Sequence, residues 1–402
     1  MRRILLIALL SFSFFGFSQS KEEVKRSTEN RDKYLFAVKT ESKKFDETVL
    51  AEYVTDELLV PVEINGKTYT FLFDTGAITI VSSKLLKELG LSPVTSNKFV
   101  DSAGNVSEEN FYTVPEIKFG SVTFQNVGVG SFELAKFSKL LCRPIDGIFG
   151  TNMMRICNWE IDYDKPSVRM CSDKIQLSNS NAVAFTQNFS GTPRVRIDTN
   201  GINFLADVDT GNNGSLDIPN EYFEKSRLVK SKKIASSHGQ GFYSLMGNAL
   251  QEERAVLADS VYIGKVLFSR RIRVSPSPMV LIGNDFFSPL GKFVINYKKG
   301  ELLLPKKMDA PKKEFTFGFT PLRENGKTFV GVIWKGSKAE KLGFALQDEV
   351  VSLNGTAVAG LSEQDWCAFR QQLIEMENLM VVIRKSDGKT VEANLEKYDL
   401  LE

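Results

Sequence analysis

Two Asp-Thr-Gly triplets, Asp74-Thr75-Gly76 and Asp209-Thr210-Gly211, are the residues of this 402-residue chain whose type and repetition could do chemistry. Each closes an apolar, strand-like run, Phe71-Leu72-Phe73 before the first and Leu205-Ala206-Asp207-Val208 before the second. Each carboxyl would therefore stand where a strand breaks into a tight glycine turn. Two carboxyls at hydrogen-bonding distance cannot both ionise; they keep one proton between them and titrate as a unit. The ionised member can take a proton from water while the neutral member donates to a carbonyl oxygen, which is amide hydrolysis with neither a metal nor a covalent intermediate. A lone triplet would read as an Asp capping a turn. The repetition is what points to a pair.

Such a pair needs two equivalent elements to deliver it, and the sequence supplies them. Asn65-Gly66 and Asn200-Gly201 carry the strongest kind of short hairpin signal, each between strand-like runs and each with its Asn nine residues before the Asp. Downstream, Gly147-Ile148-Phe149-Gly150 is matched by Val280-Leu281-Ile282-Gly283, and Glu160-Ile161-Asp162-Tyr163 by Val294-Ile295-Asn296-Tyr297. All three pairs of landmarks lie about 134 residues apart, so one fold is built twice. After the first triplet, Ser82 to Gly90 reads as a short capped helix.

In these motifs the chain resembles the retropepsin and pepsin class of aspartic proteases, particularly the bacterial retropepsin-like type, over about residues 50 to 305. The resemblance implies a mainly β fold of two acid-protease barrel lobes related by a pseudo-two-fold axis. It implies Asp74 and Asp209 as the catalytic dyad, with Thr75 and Thr210 bonding across the axis and Gly76 and Gly211 leaving room beside the carboxylates. Glycine-bearing flaps are expected to cover the substrate, and Gly104, Gly239 and Gly241 are the candidates. The second triplet is followed by Asn212-Asn213-Gly214 where the first has Ala77-Ile78-Thr79, a more polar loop.

Beyond a charged, Pro-containing stretch at Lys306 to Glu314 the pattern changes. Phe317-Gly318-Phe319, Val330-Gly331-Val332-Ile333, Gln347-Asp348 and Asn354-Gly355 follow in an order that resembles a bacterial PDZ domain. The resemblance implies Phe317, Gly318 and Phe319 as its peptide-binding loop and Ser362 to Glu377 as its groove helix. Ser362 and Asp365 form a capping box, with Trp366, Phe369 and Leu373 at core-facing spacing. PDZ domains add an extended peptide to a sheet edge. Chain termini or unfolded segments are the expected ligands.

The N-terminus reads as an export signal: Arg2-Arg3, an apolar run from Ile4 to Phe17, then Ser18 and Ser20. The run is too short to cross a bilayer as a helix. The expected organisation is a signal peptide at 1–20, a mobile or loosely docked polar arm at 21–47, lobes at 48–178 and 179–305, a linker at 306–314 and the PDZ domain at 315–402. The mature protein is expected to be periplasmic or secreted, without a membrane anchor. Losing Arg2 and Arg3 cancels the formal charge of +2, and a balanced chain without a basic stripe argues against nucleic acid as a partner. No metal or cofactor is expected, since the four cysteines are widely spaced and His238 is the only histidine. Cys142, Cys157, Cys171 and Cys367 allow three complete pairings; Cys157 and Cys171 flank a hairpin-like pair of runs and read as cross-strand neighbours or as two buried thiols. Trp159 and Trp334 read as core. The function expected is an exported aspartic endopeptidase acting on peptides or proteins. The alternative is a catalytically silent peptide-binding or scaffolding protein of the same fold.

Overall fold

Asn65 and Gly66 both take positive φ, 51° and 74°, and Asn200 and Gly201 do so at 45° and 85°. A two-residue turn of this kind matches the twist of the strands it joins. It sets Glu57–Ile64 against Lys67–Phe73, and Pro193–Thr199 against Ile202–Val208. Gly147–Phe149 then runs parallel to Lys67–Phe73 and antiparallel to Ile80–Ser82, while Leu281–Ile282 does the same with Ile202–Val208 and Leu216–Pro219. The computed structural model from which this is read describes residues 6–7, 21–248, 250–306 and 311–402. The expected signal peptide therefore lies outside the described residues, apart from Leu6 and Ile7, and so does 307–310 of the expected linker.

The architecture is mainly β. Among the described residues, a nine-stranded sheet holds the first Asp-Thr-Gly and a 14-stranded sheet holds the second. A six-stranded sheet beneath them draws strands from both halves. Its central ladder pairs Asn158–Asp162 antiparallel with Lys292–Asn296, the two matched landmarks meeting each other. Alternation along these strands sends Trp159 inward, where its ring meets Phe73 and Phe149 with centroids 5.3 and 5.5 Å away in edge-on contact. Ser82 caps the helix Ser83–Leu89 by accepting from the Leu85 N–H, and Gly90 ends it at φ 63°.

The C-terminal unit has its own core, with Trp366, Phe369 and Leu373 of the helix Glu363–Glu375 packed over Phe317, Phe319, Val330 and Leu379. Ser362 caps that helix by accepting from the Asp365 N–H at 3.1 Å. The unit is joined to the second half through its strand Lys327–Trp334, which pairs with Ile234–Gly239 and makes one continuous sheet. Gly239 is required there, because a Cβ would stand 2.1 Å from the Gly331 carbonyl oxygen. The charged stretch is strapped down as well: Lys312 bonds Asp56 at 2.6 Å, and Glu314 is buried against Arg271 at 3.1 Å.

One expectation is corrected here, and one left open between two readings is decided. The polar arm is docked: Leu35 and Val38 are buried, Lys39–Thr40 pairs with Val122–Phe132, and Asp46–Leu50 pairs with Ser167–Cys171. Few apolar residues suffice because the arm adds strands to existing sheet edges. Cys157 and Cys171 are not cross-strand partners. Asn158 stands opposite Cys171, so Cys157 lies one residue beyond the pair and points to the other face, into a different cluster. Both remain buried thiols, and burial pushes the Cys157 pKa up.

Cys142 and Cys367 form the disulfide, closing a separation of 225 residues between the end of helix Ala135–Leu141 and the helix Glu363–Glu375. Closing so long a loop constrains the unfolded chain strongly. Cys142→Ser is expected to lower unfolding free energy by about 2–5 kcal/mol. Denaturant unfolding without reductant checks this, and a change under about 0.5 kcal/mol would contradict it.

Candidate active site

Each Asp-Thr-Gly leaves its strand under a bond from the neighbouring parallel strand: Asp74 N–H donates to Phe149 O at 3.0 Å and Asp209 N–H to Ile282 O at 2.9 Å. The threonines then lock the two loops crosswise. Thr75 Oγ1 donates to Val208 O at 2.6 Å and accepts from Thr210 N–H at 3.0 Å; Thr210 Oγ1 donates to Phe73 O at 2.8 Å and accepts from Thr75 N–H at 3.0 Å. All four residues are buried, so every one of these bonds must be made or its desolvation is uncompensated. The crosswise pattern fixes where the carboxyls sit.

Those carboxyls face each other. Asp74 Oδ1 accepts from the N–H groups of Gly76 (2.6 Å) and Ala77 (3.1 Å), and Asp209 Oδ1 accepts from Gly211 N–H (3.0 Å). On each, Oδ2 is buried and reached by no N–H or O–H donor, while the two carboxyls are within hydrogen-bonding reach of one another. Two such acids satisfy one another only by sharing a proton.

Burial pushes Asp74 up to about 7, against the hydrogen bond shared with the Asp209 carboxyl and those from Gly76 and Ala77, which favour its charged form. Asp209 is pushed well above the carboxylate range by burial first, then by repulsion from Asp74. The pair thus keeps its shared proton at a higher pH than an exposed dyad does. The pH profile of kcat/KM is expected to be bell-shaped, with its optimum nearer neutrality than that of a solvent-exposed carboxylate pair. An optimum below about pH 4 would contradict the environment described here.

The triplet residues Asp74, Thr75, Gly76, Asp209, Thr210 and Gly211 all converge on this centre. Of the flap candidates, Gly104 lies in the turn Asp101–Asn105 at the end of the hairpin formed by Thr95–Val100 and Val106–Phe119. That turn reaches the second half, where Ser277 Oγ donates to Ser102 O at 2.6 Å and Pro278 lies against Gly104. Gly239 belongs to the second hairpin but faces the C-terminal unit, and Gly241 lies beside Glu253. Phe317, Gly318 and Phe319 sit in the C-terminal unit, both Phe rings in its core and Gly318 at φ 87°.

A third carboxyl went unread in the sequence. Glu57 is fully buried, and its Oε2 accepts from Asn284 Nδ2 at 3.1 Å. Asn284 Nδ2 also donates to Thr210 O at 2.7 Å, and Asn284 Oδ1 accepts from Tyr163 OH at 2.7 Å. Burial, then repulsion from Asp74, holds Glu57 well above its ordinary pKa. A neutral Glu57 bonds Asn284 without adding a charge beneath the dyad. Its only sequence signal is position: an acid opening the apolar run Leu58-Leu59-Val60, where a solvated strand end is the ordinary reading.

Residues 60–153 match the family model described as aspartyl protease, a stretch that contains Asp74 and Gly147 to Gly150 but ends before Asp209. Among solved structures, the basic 7S globulin from soybean is similar at 9% identity, covering 66% of this chain and 95% of that one, with a TM-score of 0.40. A retropepsin-like aspartic protease from Rickettsia conorii is similar at 13% identity over 34% of this chain and 95% of that one, TM-score 0.23. The EIAV protease complexed with the inhibitor HBY-793 follows at 18% identity over 26% and 94%, TM-score 0.21. No curated protein matches the chain. The family match, in the stretch that carries Asp74, supports a peptidase of the aspartyl type.

Proposed function

We propose that the chain is an exported aspartic endopeptidase in which Asp74 and Asp209 act as one dyad. The observation that carries the reading is the pair of carboxyls brought within hydrogen-bonding reach of one another, each with a buried Oδ2 that no N–H or O–H reaches, above loops held crosswise by Thr75 and Thr210. In this reading a water between the carboxyls gives its proton to the ionised member as its oxygen attacks the peptide carbonyl, and the neutral member donates to the carbonyl oxygen. As the C–N bond breaks, the carboxyl that took water's proton gives it to the leaving amine and the other recovers a proton from a hydroxyl of the tetrahedral diol, which restores the single shared proton. No acyl-enzyme forms.

The lobes are read as 48–178 and 179–305, and residues 315–402 as a PDZ domain that recruits peptide or protein substrates. The glycine loop at Phe317 to Phe319 and the capped helix Glu363–Glu375 support that part. Export to the periplasm or beyond rests on the leader-like N-terminus, and the disulfide suits an oxidising compartment. The test is digestion of a denatured protein by the chain lacking residues 1–20, in the presence of a chelator and of hydroxylamine. Internal cleavage with no hydroxamate product is the expected result; trapping of a hydroxamate would reveal a covalent intermediate and overturn the dyad mechanism, and tight peptide binding without cleavage at any pH would select a silent binder.

A further inference from the structure

The two halves of the fold meet beneath the dyad through a pair of adjacent residues on each side. Glu57 opens the strand Glu57–Ile64 of the first half, and Asn284 opens the short helix Asn284–Phe287 of the second. Their side chains bond at 3.1 Å, and Asn284 Nδ2 also donates to Thr210 O at 2.7 Å, which ties this contact to the second triplet. The residues beside them, Asp56 and Asp285, are both acids. Lys312 Nζ lies 2.6 Å from Asp56 Oδ1 and 3.2 Å from Asp285 Oδ1. One ammonium therefore joins the halves alongside the Glu57–Asn284 bond.

That ammonium belongs to neither half. Lys312 lies in the charged stretch that leads into the C-terminal unit, and the stretch is pinned on both sides of it. Arg271 Nη1 donates to Lys312 O at 3.2 Å, while the same guanidinium pairs with Asp285 at 2.8 Å and Glu314 at 3.1 Å. From the C-terminal unit, Leu400 N–H donates to Glu314 O at 2.8 Å, and Phe315–Thr316 pairs with Tyr398–Asp399. Lys312 is held in place from two directions.

The duplication supplies an internal comparison. Thr151 and Asn152 follow Gly150 in the first copy as Asn284 and Asp285 follow Gly283 in the second. Asn152 Oδ1 accepts from Thr79 N–H at 2.7 Å and Asn152 Nδ2 donates to Gly128 O at 2.8 Å, so this uncharged side chain is satisfied inside its own half. Asp285 at the same place carries a charge with only 7% of its side chain exposed, and the interface brings Asp56, 15% exposed, to the same cation. Two carboxylates so placed repel each other, and burial strengthens the repulsion. A cation has to stand between them, and it arrives from outside the duplicated fold.

We propose that Lys312 is a positioning residue for the dyad: by bridging Asp56 and Asp285 it holds the two halves together where Glu57, Asn284 and Thr210 meet, and so sets how closely Asp74 faces Asp209. The active centre then depends on a third part of the chain besides the two halves that supply its acids. The bridge stands on the contacts above; only the loss of cleavage expected on breaking it rests on the hydrolytic reading.

The test uses the full chain without residues 1–20. Lys312→Met keeps the length of the side chain and removes its charge; it is expected to lower kcat at least about tenfold with KM within threefold of wild type, because the spacing of the acids is what it disturbs. Hydrogen exchange at the Thr75 and Thr210 amides, which make the crosswise bonds, should quicken at least about tenfold. Lys312→Arg restores a bridging cation and should keep both readouts within threefold of wild type. The double variant Asp56→Asn, Lys312→Met removes the repulsion instead, with an amide oxygen still able to accept from Tyr53 OH, and should recover most of both readouts even where Lys312→Met alone does not fold. Unchanged exchange in Lys312→Met would overturn the bridge whatever its kcat, and a rise in KM at constant kcat would place Lys312 in substrate binding and overturn its positioning role. Loss of both readouts in Lys312→Arg or in the double variant would assign the effect to packing of the stem and overturn the bridging charge. If exchange responds as expected while no form cleaves at any pH, the bridge stands and the hydrolytic reading falls.

Discussion

Asparagine at position 74 or 209 is expected to abolish peptide cleavage, lowering kcat/KM by at least about a thousandfold while leaving the protein folded. The mechanism needs one carboxylate and one carboxylic acid in contact, and an amide can replace neither the base nor the shared proton. The scaffold should tolerate the change, because an amide oxygen can still accept the bonds that Asp74 Oδ1 takes from Gly76 and Ala77. Stability should even improve. Asp74 has its pKa raised from 3.8 to about 7 by folding, so between those values the native state binds more protons than the unfolded one. Stability then falls as pH rises through that window. Asp74→Asn lacks this loss, and its melting temperature should exceed that of wild type by a margin that widens from pH 4 to pH 7. Retained cleavage in either variant would remove the dyad from the mechanism; a shrinking margin would show that the carboxyl is not buried as described.

Alanine at Gly76 or Gly211 is expected to cost nearly as much, through geometry alone. A Cβ on residue 76 would stand 2.4 Å from Asp209 Cγ, and one on residue 211 would stand 2.3 Å from Asp74 Cγ. Carbon atoms approach comfortably to roughly 3.5–4.0 Å, so the carboxyl must shift by about 1 Å or the loops must part. A misplacement of that size can cost on the order of a hundredfold in rate. The effect crosses the axis: each glycine belongs to one triplet and makes room for the other triplet's acid. Gly76→Ala and Gly211→Ala should therefore each reduce kcat at least about a hundredfold and destabilise by about 1–3 kcal/mol. Activity within threefold of wild type in either would mean that the carboxyls are not held this close.

What could be read beforehand was whatever is encoded locally or by repetition. Asn65-Gly66 and Asn200-Gly201 specify their turns by backbone preference alone, and Ser82 and Ser362 announce their helices through a cap made within three residues. The two triplets were legible because they recur. What escaped depends on partners distant along the chain. Glu57 looks like a strand end until Asn284, 227 residues later, is laid against it. The pairing of Ile234–Gly239 with Lys327–Trp334 has no local signature, since an open edge and a covered edge have the same alternating pattern. The docked arm was missed for the same reason, and the cysteine pairing because spacing leaves three solutions open.

The crosswise threonine grip also has a consequence in time. Each half donates one acid, and the ladder that sets them face to face needs Lys292–Asn296, late in the polypeptide. A chain emerging from its N-terminus presents Asp74 early but has no opposing acid until the second copy has folded onto the first. On the hydrolytic reading, newly made molecules therefore pass through most of their synthesis without an assembled dyad.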